Sequence, residues 1–306
     1  MTYVLQQLLN GVALGFVYAL IALGYTMVYG IVRLINFAHG DVFMVGAFIS
    51  YFVLKALAGV TLVQAPWLNG IILFFIGMLA AMAFCTILNV TIERIAYKPL
   101  RNAPRIAALI TAIGVSLFLE YFTSLKFVFS PNYINYPSPL PSVAWQIAGL
   151  QVSSIQVIIA IVAILLLLGL NYIVRYTRMG KAMRAAAFDR DTARLMGIDV
   201  DLTISFTFGL GAAMAGAGGA LYASAYPQIF TFMGIIPGLK AFTAAVLGGI
   251  GSLPGAFVGA LIMGVAEVAA KSVYSTLADG VAFLILIIVL LVKPAGLFGR
   301  SEVEKV

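Results

Sequence analysis

The sequence predicts an all-α, polytopic membrane protein with about seven to nine transmembrane helices. Of its 306 residues, 63% are hydrophobic and 9% are charged, and the mean hydropathy is +1.08. Soluble domains carry about 25% charged residues. A transmembrane helix needs about 20 mostly apolar residues. Runs of that kind lie at residues 8–30, 41–60, 70–92, 105–125, 155–175, 202–223 and 281–298.

The composition also predicts a single membrane domain over residues 1–306. No polar stretch exceeds about 30 residues, whereas a soluble domain of ordinary size needs roughly 50 or more. The only cysteine, Cys85, excludes an internal disulfide and a Cys-based metal cluster, and no metal site is predicted. Because the first charged residue is Arg33, the first apolar segment lacks the basic flank of a cleavable signal peptide and is expected to remain. The expected surroundings are membrane lipid, and no nucleic-acid partner is expected.

Two short loops concentrate the basic residues, and this asymmetry predicts the orientation. The loop at 126–154 holds only Lys126. Since cytoplasmic loops carry the excess of Lys and Arg, the basic loops are predicted to be cytoplasmic, the 126–154 loop periplasmic and the amino terminus outside. The two basic sets are Arg94, Lys98, Arg101 and Arg105, and Arg175, Arg178, Lys181, Arg184, Arg190 and Arg194.

The stretch at 237–272 is predicted to be a broken hairpin. The carboxy terminus lies on the cytoplasmic side only if this stretch enters and leaves the membrane on the same side. Its first part, PGLKAFTAAVLGG, offers only about eleven helical residues, or about 16 Å, before a cluster of glycines and Pro254. Broken helices at membrane depth are common near substrate paths in transporters. The alternative is one full helix kinked at Pro254.

A second interruption follows the first apolar run, where Arg33, Asn36, His39 and Asp41 fall within nine residues. Polar groups at that depth usually face a bundle interior or a cavity. Asp41 after Gly40 is expected to cap the next helix. His39 has no acidic or Cys partner at metal-ligand spacing, which favours a structural hydrogen bond over metal binding or catalysis.

The segment at 202–223 carries small residues on nearly every face, including Gly209, Gly211, Gly216 and Gly219. Small residues four apart let membrane helices pack closely. This helix and the first one are therefore predicted to lie centrally in the bundle.

The polar segment at about 176–201 is predicted to form two short helices that dock a partner. Asp189 or Asp191 is the expected N-cap of the second helix, and Gly197 its C′ residue. The apolar residues expected to fit a groove on the partner are Met183, Ala186, Ala187, Leu195 and Met196. The alternative is an amphipathic loop that packs only on its own bundle.

The periplasmic loop at about 126–154 combines four prolines with Tyr133, Tyr136 and Trp145. This composition predicts a stiff aromatic loop on which a soluble partner could land. Aromatic residues also gather at membrane interfaces for amphipathic reasons alone, and both interpretations remain open.

The sequence lacks the motifs that would let the chain by itself hydrolyse ATP, couple transport to an ion gradient or catalyse a reaction. Its only Gly-Lys pair, Gly180-Lys181, is followed by Ala182 and is not a P-loop. Glu120 and Glu267 are the only carboxylates well within apolar runs. This scarcity of acids argues against an ion-coupled secondary transporter, although carbonyls alone can hold sodium. No nucleophile or acid–base constellation supports an enzyme.

Four stretches resemble the LivH-type permease subunits of bacterial branched-chain amino-acid ABC importers. They are ALIALGYTMVYGIVRLINFAHGD, IERIAYKPLR, RYTRMGKAMRAAAFDRDTARLMGID and LKAFTAAVLGGIGSLPGAFVGALIMGVAE, and GRSEVEKV closes the chain. The resemblance implies a bacterial inner-membrane heterodimer with a second, LivM-type permease, two cytoplasmic ATPase subunits and a periplasmic amino-acid-binding protein. It also implies that ATP and Mg are bound by the partner ATPases, with no cofactor in this chain.

In that resemblance the polar segment corresponds to coupling helices. The E-A-A-x-x-x-G pattern of many other importer permeases is absent, and only Arg184-Ala185-Ala186-Ala187 with a distant Gly197 is near it. The residues expected to contact the ATPase are Lys181, Arg184, Asp189, Asp191, Arg194 and Gly197.

The function predicted from these observations is inward movement of leucine, isoleucine, valine or a related neutral amino acid by alternating access, powered by partner ATPases. A urea or short-amide permease is the alternative within the class, and a self-sufficient secondary transporter or channel the alternative outside it. The expected pathway residues are Asn36, His39 and Asp41 at the first break, and Gly248, Gly249, Gly251 and Ser252 at the second.

Overall fold

The computed structural model describes residues 2–32, 35–101 and 103–299, and most of these residues are helical. The helices are α1 (Thr2–Val32), α2 (His39–Ala56), α3 (Pro66–Ile92), α4 (Arg105–Thr123), α5 (Ser154–Tyr176), α6 (Arg178–Phe188), α7 (Arg190–Leu195), α8 (Val200–Ala225), α9 (Ile235–Gly248), α10 (Leu253–Val273) and α11 (Leu277–Val292). Among the described residues, α1, α3, α4, α5, α8 and α10 are long and apolar enough to cross a membrane, and α9 and α11 are shorter apolar helices. The prediction of an all-α polytopic membrane protein is confirmed.

The helices α1 and α8 form the centre of the bundle, as their small residues predicted. In each of them 83% of the most apolar window is buried inside the protein, against 22% in α4 and α5. The glycines of α8 are the points of closest approach: a Cβ on Gly216 would meet the backbone of α3 at 2.9 Å, and one on Gly211 would meet α1 at 3.2 Å. Their lack of side chains lets three helices pack around α8.

One end of the bundle carries the α4–α5 loop, which contains short strands. The strands β2 (Ala144–Ile147) and β3 (Leu150–Ser153) form an antiparallel hairpin, and β1 (Ile134–Asn135) pairs with β4 (Gln228–Ile229) of the α8–α9 loop. We call this the loop end, and the opposite end, which carries α6 and α7, the insert end. Tyr136 is buried against Ser50, with 2.7 Å between the hydroxyl oxygens, and only Tyr133 and Trp145 of the predicted aromatic set are exposed.

The hairpin predicted at 237–272 is present, and the alternative of one kinked helix is wrong. Helix α9 ends at Gly248 and α10 begins at Leu253. The two helices run antiparallel, because Gly248 packs on Gly255 and Gly259 packs on Ala244. Gly249 and Gly251 have φ of +100° and +97°, a region that side chains disfavour, so glycine permits the reversal.

The turn of this hairpin lies at the insert end, which corrects the expectation that it interrupts the membrane interior. Gly251 faces Gly30 in the last turns of α1, and it lines a small cavity with Met183 and Arg184 of α6. The free carbonyls at the end of α9 are satisfied by protein: Leu297 N–H donates to the Leu247 oxygen at 2.8 Å, and Phe298 N–H to the Gly248 oxygen at 3.0 Å.

The interruption at mid-depth is instead the one between α1 and α2. Residues 35–38 are non-helical, and α2 begins opposite the middle of α8, because His39 packs on Gly24, which contacts Gly211. Helix α9 begins at the same level: a Cβ on Gly40 would lie 2.6 Å from the Gly234 oxygen. The amino-terminal ends of α2 and α9 therefore meet inside the bundle. Arg33 of the predicted polar cluster lies outside the described residues.

Candidate functional site

Asn36 lies in the non-helical segment and is 1% exposed. Its Oδ1 accepts a hydrogen bond of 2.7 Å from the hydroxyl of Tyr97, which belongs to a π-helical turn, Glu93–Tyr97, that continues α3. Its Nδ2 has no hydrogen-bond partner in the described structure. An unpaired buried donor costs about 1–3 kcal/mol, so this amide is a site where a transported polar group could bind.

The structural hydrogen bond that the sequence predicted for His39 is directed at the backbone of Ile21 on α1, with a geometry outside the normal range. The ring is fully buried, and neither nitrogen has a partner of normal hydrogen-bond geometry in the described structure. It packs instead by shape: its edge faces the Tyr25 ring at 4.7 Å between centroids, and it fills the space left by Gly24 of α1. The ring therefore packs the start of α2 against α1, with Nε2 facing Gly24.

Asp41 is not a helix cap, and this expectation is also wrong. The N-cap position of α2 belongs to Ala38, and no side chain caps it. The Asp41 carboxylate accepts a hydrogen bond from the hydroxyl of Ser116 on α4, and it adjoins Glu120 one turn further along α4. The two carboxyls together connect the otherwise loosely packed α4 to the first break.

The second set of predicted pathway residues lies apart from the first. Gly248, Gly249 and Gly251 form the turn at the insert end, and Ser252 caps α10 by accepting from the Gly255 N–H at 3.2 Å. The 14 residues of α9 separate this turn from the first break, a distance of about 21 Å along the helix. The structure therefore does not bring the two predicted sets together.

Two buried ionic networks were not predicted. At the insert end, Arg101 bridges Glu93 and Asp201, and Ser205 donates to Glu93. These residues adjoin a cavity of about 410 Å³ between the π-helical turn and the insert. Inside the bundle, Lys240 of α9 pairs with Glu267 of α10. The basic loop and the isolated Glu267 were visible in the sequence, but their partners are distant along the chain.

The insert, defined as residues 176–201, has the predicted two-helix form. Asp189 is the N-cap of α7, and the N–H groups of Thr192 and Asp191 hold the pKa of its carboxyl below its usual range. Gly197 is the C′ residue, with φ of +81°. Its N–H donates to Arg194, and the Ile198 N–H to Ala193, which is the Schellman pattern.

Only part of the predicted apolar docking set faces outward. Met183 and Ala186 are 3% and 1% exposed and pack on the bundle, which corrects their assignment to a partner groove. Leu195 and Met196 are exposed, and so is Phe188, at 93%, which the sequence analysis did not include. The charged residues Lys181, Asp191 and Arg194 are exposed around them. The insert thus packs on its own bundle by one face and leaves a second, mixed face uncovered.

Two arginines fasten the insert to the ends of membrane helices. Arg184 donates to the carbonyl oxygens of Val174 and Arg175 at the end of α5. Arg190 donates to the carbonyl oxygens of Ile31 and Val32 at the end of α1, at 2.9 and 2.8 Å. Helix carboxy-terminal ends carry partial negative charge and unpaired carbonyls, so cations are stabilised there.

Comparison with known proteins identifies the class. The model of the family described as branched-chain amino acid transport system / permease component matches residues 7–290. The chain belongs to this permease family. The high-affinity branched-chain amino acid transport system permease protein LivH of Salmonella typhimurium is 46% identical to it over 99% of this chain and 98% of its own length. LivH of Escherichia coli K12 has the same identity and coverage, and BraD of Pseudomonas aeruginosa is 41% identical over 99% of this chain.

The family match covers both breaks and the insert of this permease. The family match and the six apolar spans of the described residues together identify the permease as a multi-pass inner-membrane transport component. The polar features described above are therefore features of a transport protein, and their geometry bears on how a solute crosses and how that crossing is driven.

Proposed function

We propose that this permease is the translocating subunit of an ATP-driven importer of branched-chain amino acids. It works with a second permease of the LivM type, two cytoplasmic ATPase subunits that bind ATP and Mg, and a periplasmic binding protein that delivers the solute. The whole chain is one permease domain in this proposal. Its relatives named for branched-chain amino acid transport support the solute class.

The uncovered face of the insert is the single observation that carries the proposal. Phe188, Leu195 and Met196 are exposed by 93%, 88% and 77% in a segment whose other face is packed. Three large apolar side chains among exposed charges suit a protein groove. A lipid anchor has no use for the acidic residues Asp189 and Asp191 beside them. An ATPase subunit that docks at this face supplies the energy that the permease lacks.

The proposed solute path passes the first break. There the amino-terminal ends of α2 and α9 meet, and the Nδ2 of Asn36 lacks a partner in the described structure. His39 and Asp41 lie in the first turn of α2 beside it. The positive ends of two helices suit a carboxylate, and a carboxylate side chain suits an ammonium. The glycine turn and Ser252 contribute to the inner end of the path through α9.

Reconstitution of the complete complex in liposomes tests the proposal. Radiolabelled leucine, isoleucine or valine should accumulate only with ATP inside and loaded binding protein outside, while this chain alone with a proton or sodium gradient should give no uptake. Uptake of urea in preference to the amino acids would move the assignment to the amide class. Gradient-driven uptake by the chain alone would reject the ABC assignment.

A matched pair of variants tests the docking face. Leu195→Glu places a charge on the uncovered face and should prevent the ATPase subunits from co-purifying with the permease. The control must lie outside the membrane spans. Leu165, for example, is exposed but lies within the span α5, so Leu165→Glu would place a charge inside the membrane. Lys126→Glu in the loop at the opposite end changes charge without touching the insert, and it should leave co-purification unchanged. Equal recovery of the ATPases with Leu195→Glu would remove the insert from the interface.

A further inference from the structure

Arg190 ties the insert by hydrogen bonds to the carboxy-terminal end of α1, a helix that α6 also contacts. Its guanidinium donates to the last two carbonyls of that helix, those of Ile31 and Val32. Arg190 itself is the first residue of α7, directly after the cap Asp189. The same few residues therefore begin the helix that presents the docking face and bind the end of a central membrane helix.

Helix α1 leads directly into the first break. Ile35 lies three positions after Val32, and Asn36 and His39 follow it in the break. Asn36 is held by the hydroxyl of Tyr97, and His39 by packing on Gly24 of α1 itself. A displacement of the carboxy-terminal end of α1 must therefore act on the polar residues of the break.

The geometry assigns to Arg190 the role of a positioning residue that transmits motion of the insert to the first break. This assignment rests on the proposed function. Coupling between sites is carried by bonded elements that have two arrangements. Both bonds come from Nη2 of Arg190, and a rigid planar guanidinium gives that nitrogen a more fixed direction than a flexible ammonium has. Arg184 makes a similar link to α5, but α5 leads back only into the insert.

The test is the ratio of ATP hydrolysed to amino acid accumulated in liposomes that contain the complete complex. Arg190→Gln should preserve assembly and the stimulation of ATP hydrolysis by loaded binding protein, because the docking face is intact. The ratio should rise about fivefold or more, the lower end of typical coupling between sites. Arg190→Lys keeps the charge but replaces the planar group with a flexible ammonium, and should give an intermediate ratio.

The control is Arg175→Gln, which removes an exposed positive charge at the same end of the bundle without contacting α1. It should keep the ratio of the unaltered complex. An Arg190→Gln complex with an unchanged ratio would overturn the assignment while leaving the proposed function in place, since the unaltered complex still couples ATP to uptake. Uptake by the unaltered complex without ATP would overturn both.

A second readout covers the case in which Arg190→Gln fails to assemble. A cysteine at Phe37, which is half-buried in the break, should react with maleimide at a rate that depends on whether the ATPases hold ATP. In the Arg190→Lys complex this dependence should be reduced at least about twofold, since a flexible ammonium holds the two carbonyls less firmly than the planar guanidinium. A dependence equal to that of the unaltered complex would contradict transmission through Arg190.

Discussion

The ammonium of Lys240 lies 2.8 Å from Oε1 of Glu267, and the two side chains are 4% and 1% exposed. Glu267 also accepts from Tyr18 of α1 at 2.7 Å and pairs with Lys271 at 2.6 Å, while Lys240 pairs with Asp279 of α11 at 2.6 Å. The pair therefore joins four helices, and two positive charges face two negative ones. Buried ions are tolerated only when they are balanced in this way.

Lys240→Met should lower the free energy of unfolding by about 1–3 kcal/mol, because it removes one of the two cations that balance the buried Glu267 and leaves only Lys271 beside it. Denaturation of the purified protein in detergent micelles measures the loss. Lys271→Met, at a position that is 48% exposed, should cost only about 0–1 kcal/mol. The double variant Lys240→Met/Glu267→Met should be more stable than Lys240→Met. If it were less stable, the charge argument would be wrong.

Gly249→Ala should destabilise the hairpin. A side chain at φ of +100° adds about 1–2 kcal/mol of backbone strain, and its Cβ would clash with the backbone of Gly299. The same denaturation assay applies, and folded protein should be lost together with transport. Gly169→Ala is the control, because a Cβ there meets nothing within 4 Å. Equal stability of the two variants would contradict this account of the turn.

Gly197→Val should abolish stimulation of the ATPases by loaded binding protein while the membrane bundle stays folded. The residue has φ of +81° and open space around it, so the cost is backbone strain at the end of α7, about 1–2 kcal/mol or more for a branched side chain. Gly197→Asn should retain stimulation, since Asn adopts this conformation. ATPase assays on the complete complex distinguish the two, and a loss in both would point to contact by the glycine itself.

Cysteines placed at two exposed positions should report the orientation. Asp191→Cys at the insert end should be protected from a membrane-impermeant maleimide in intact cells, whereas Tyr133→Cys at the loop end should react. The native Cys85 is fully buried and gives little background. The opposite labelling pattern would place the insert outside the cell, away from any ATPase.

Local patterns in the sequence predicted local structure well. Gly197 was predicted as the C′ residue of α7, and the N-cap was narrowed to Asp189 or Asp191, because their partners lie within three or four residues. The hairpin at 237–272 was predicted because clustered glycines and Pro254 interrupt a helix wherever it lies. The small residues of α8 predicted its central position for the same reason, since close packing needs only the absence of side chains.

Long-range contacts decided what the sequence could not predict. Asp41 was assigned as a cap from its neighbours, but its hydroxyl partner Ser116 lies on another helix. The depth of the glycine turn depended on the pairing of α9 with α10, which no periodicity encodes. Arg190 binds backbone carbonyls of α1. Every residue has a backbone carbonyl, so the sequence does not show which residues accept these hydrogen bonds.

The bonds that Leu297 and Phe298 make to the end of α9 link residues about fifty positions apart. During synthesis α9 and α10 are made before these donors exist. The carbonyls of Leu247 and Gly248 can therefore accept the two bonds only after α11 and the residues that follow it have been made. The order of translation therefore makes closure of the inner end of the bundle one of the last steps in its maturation.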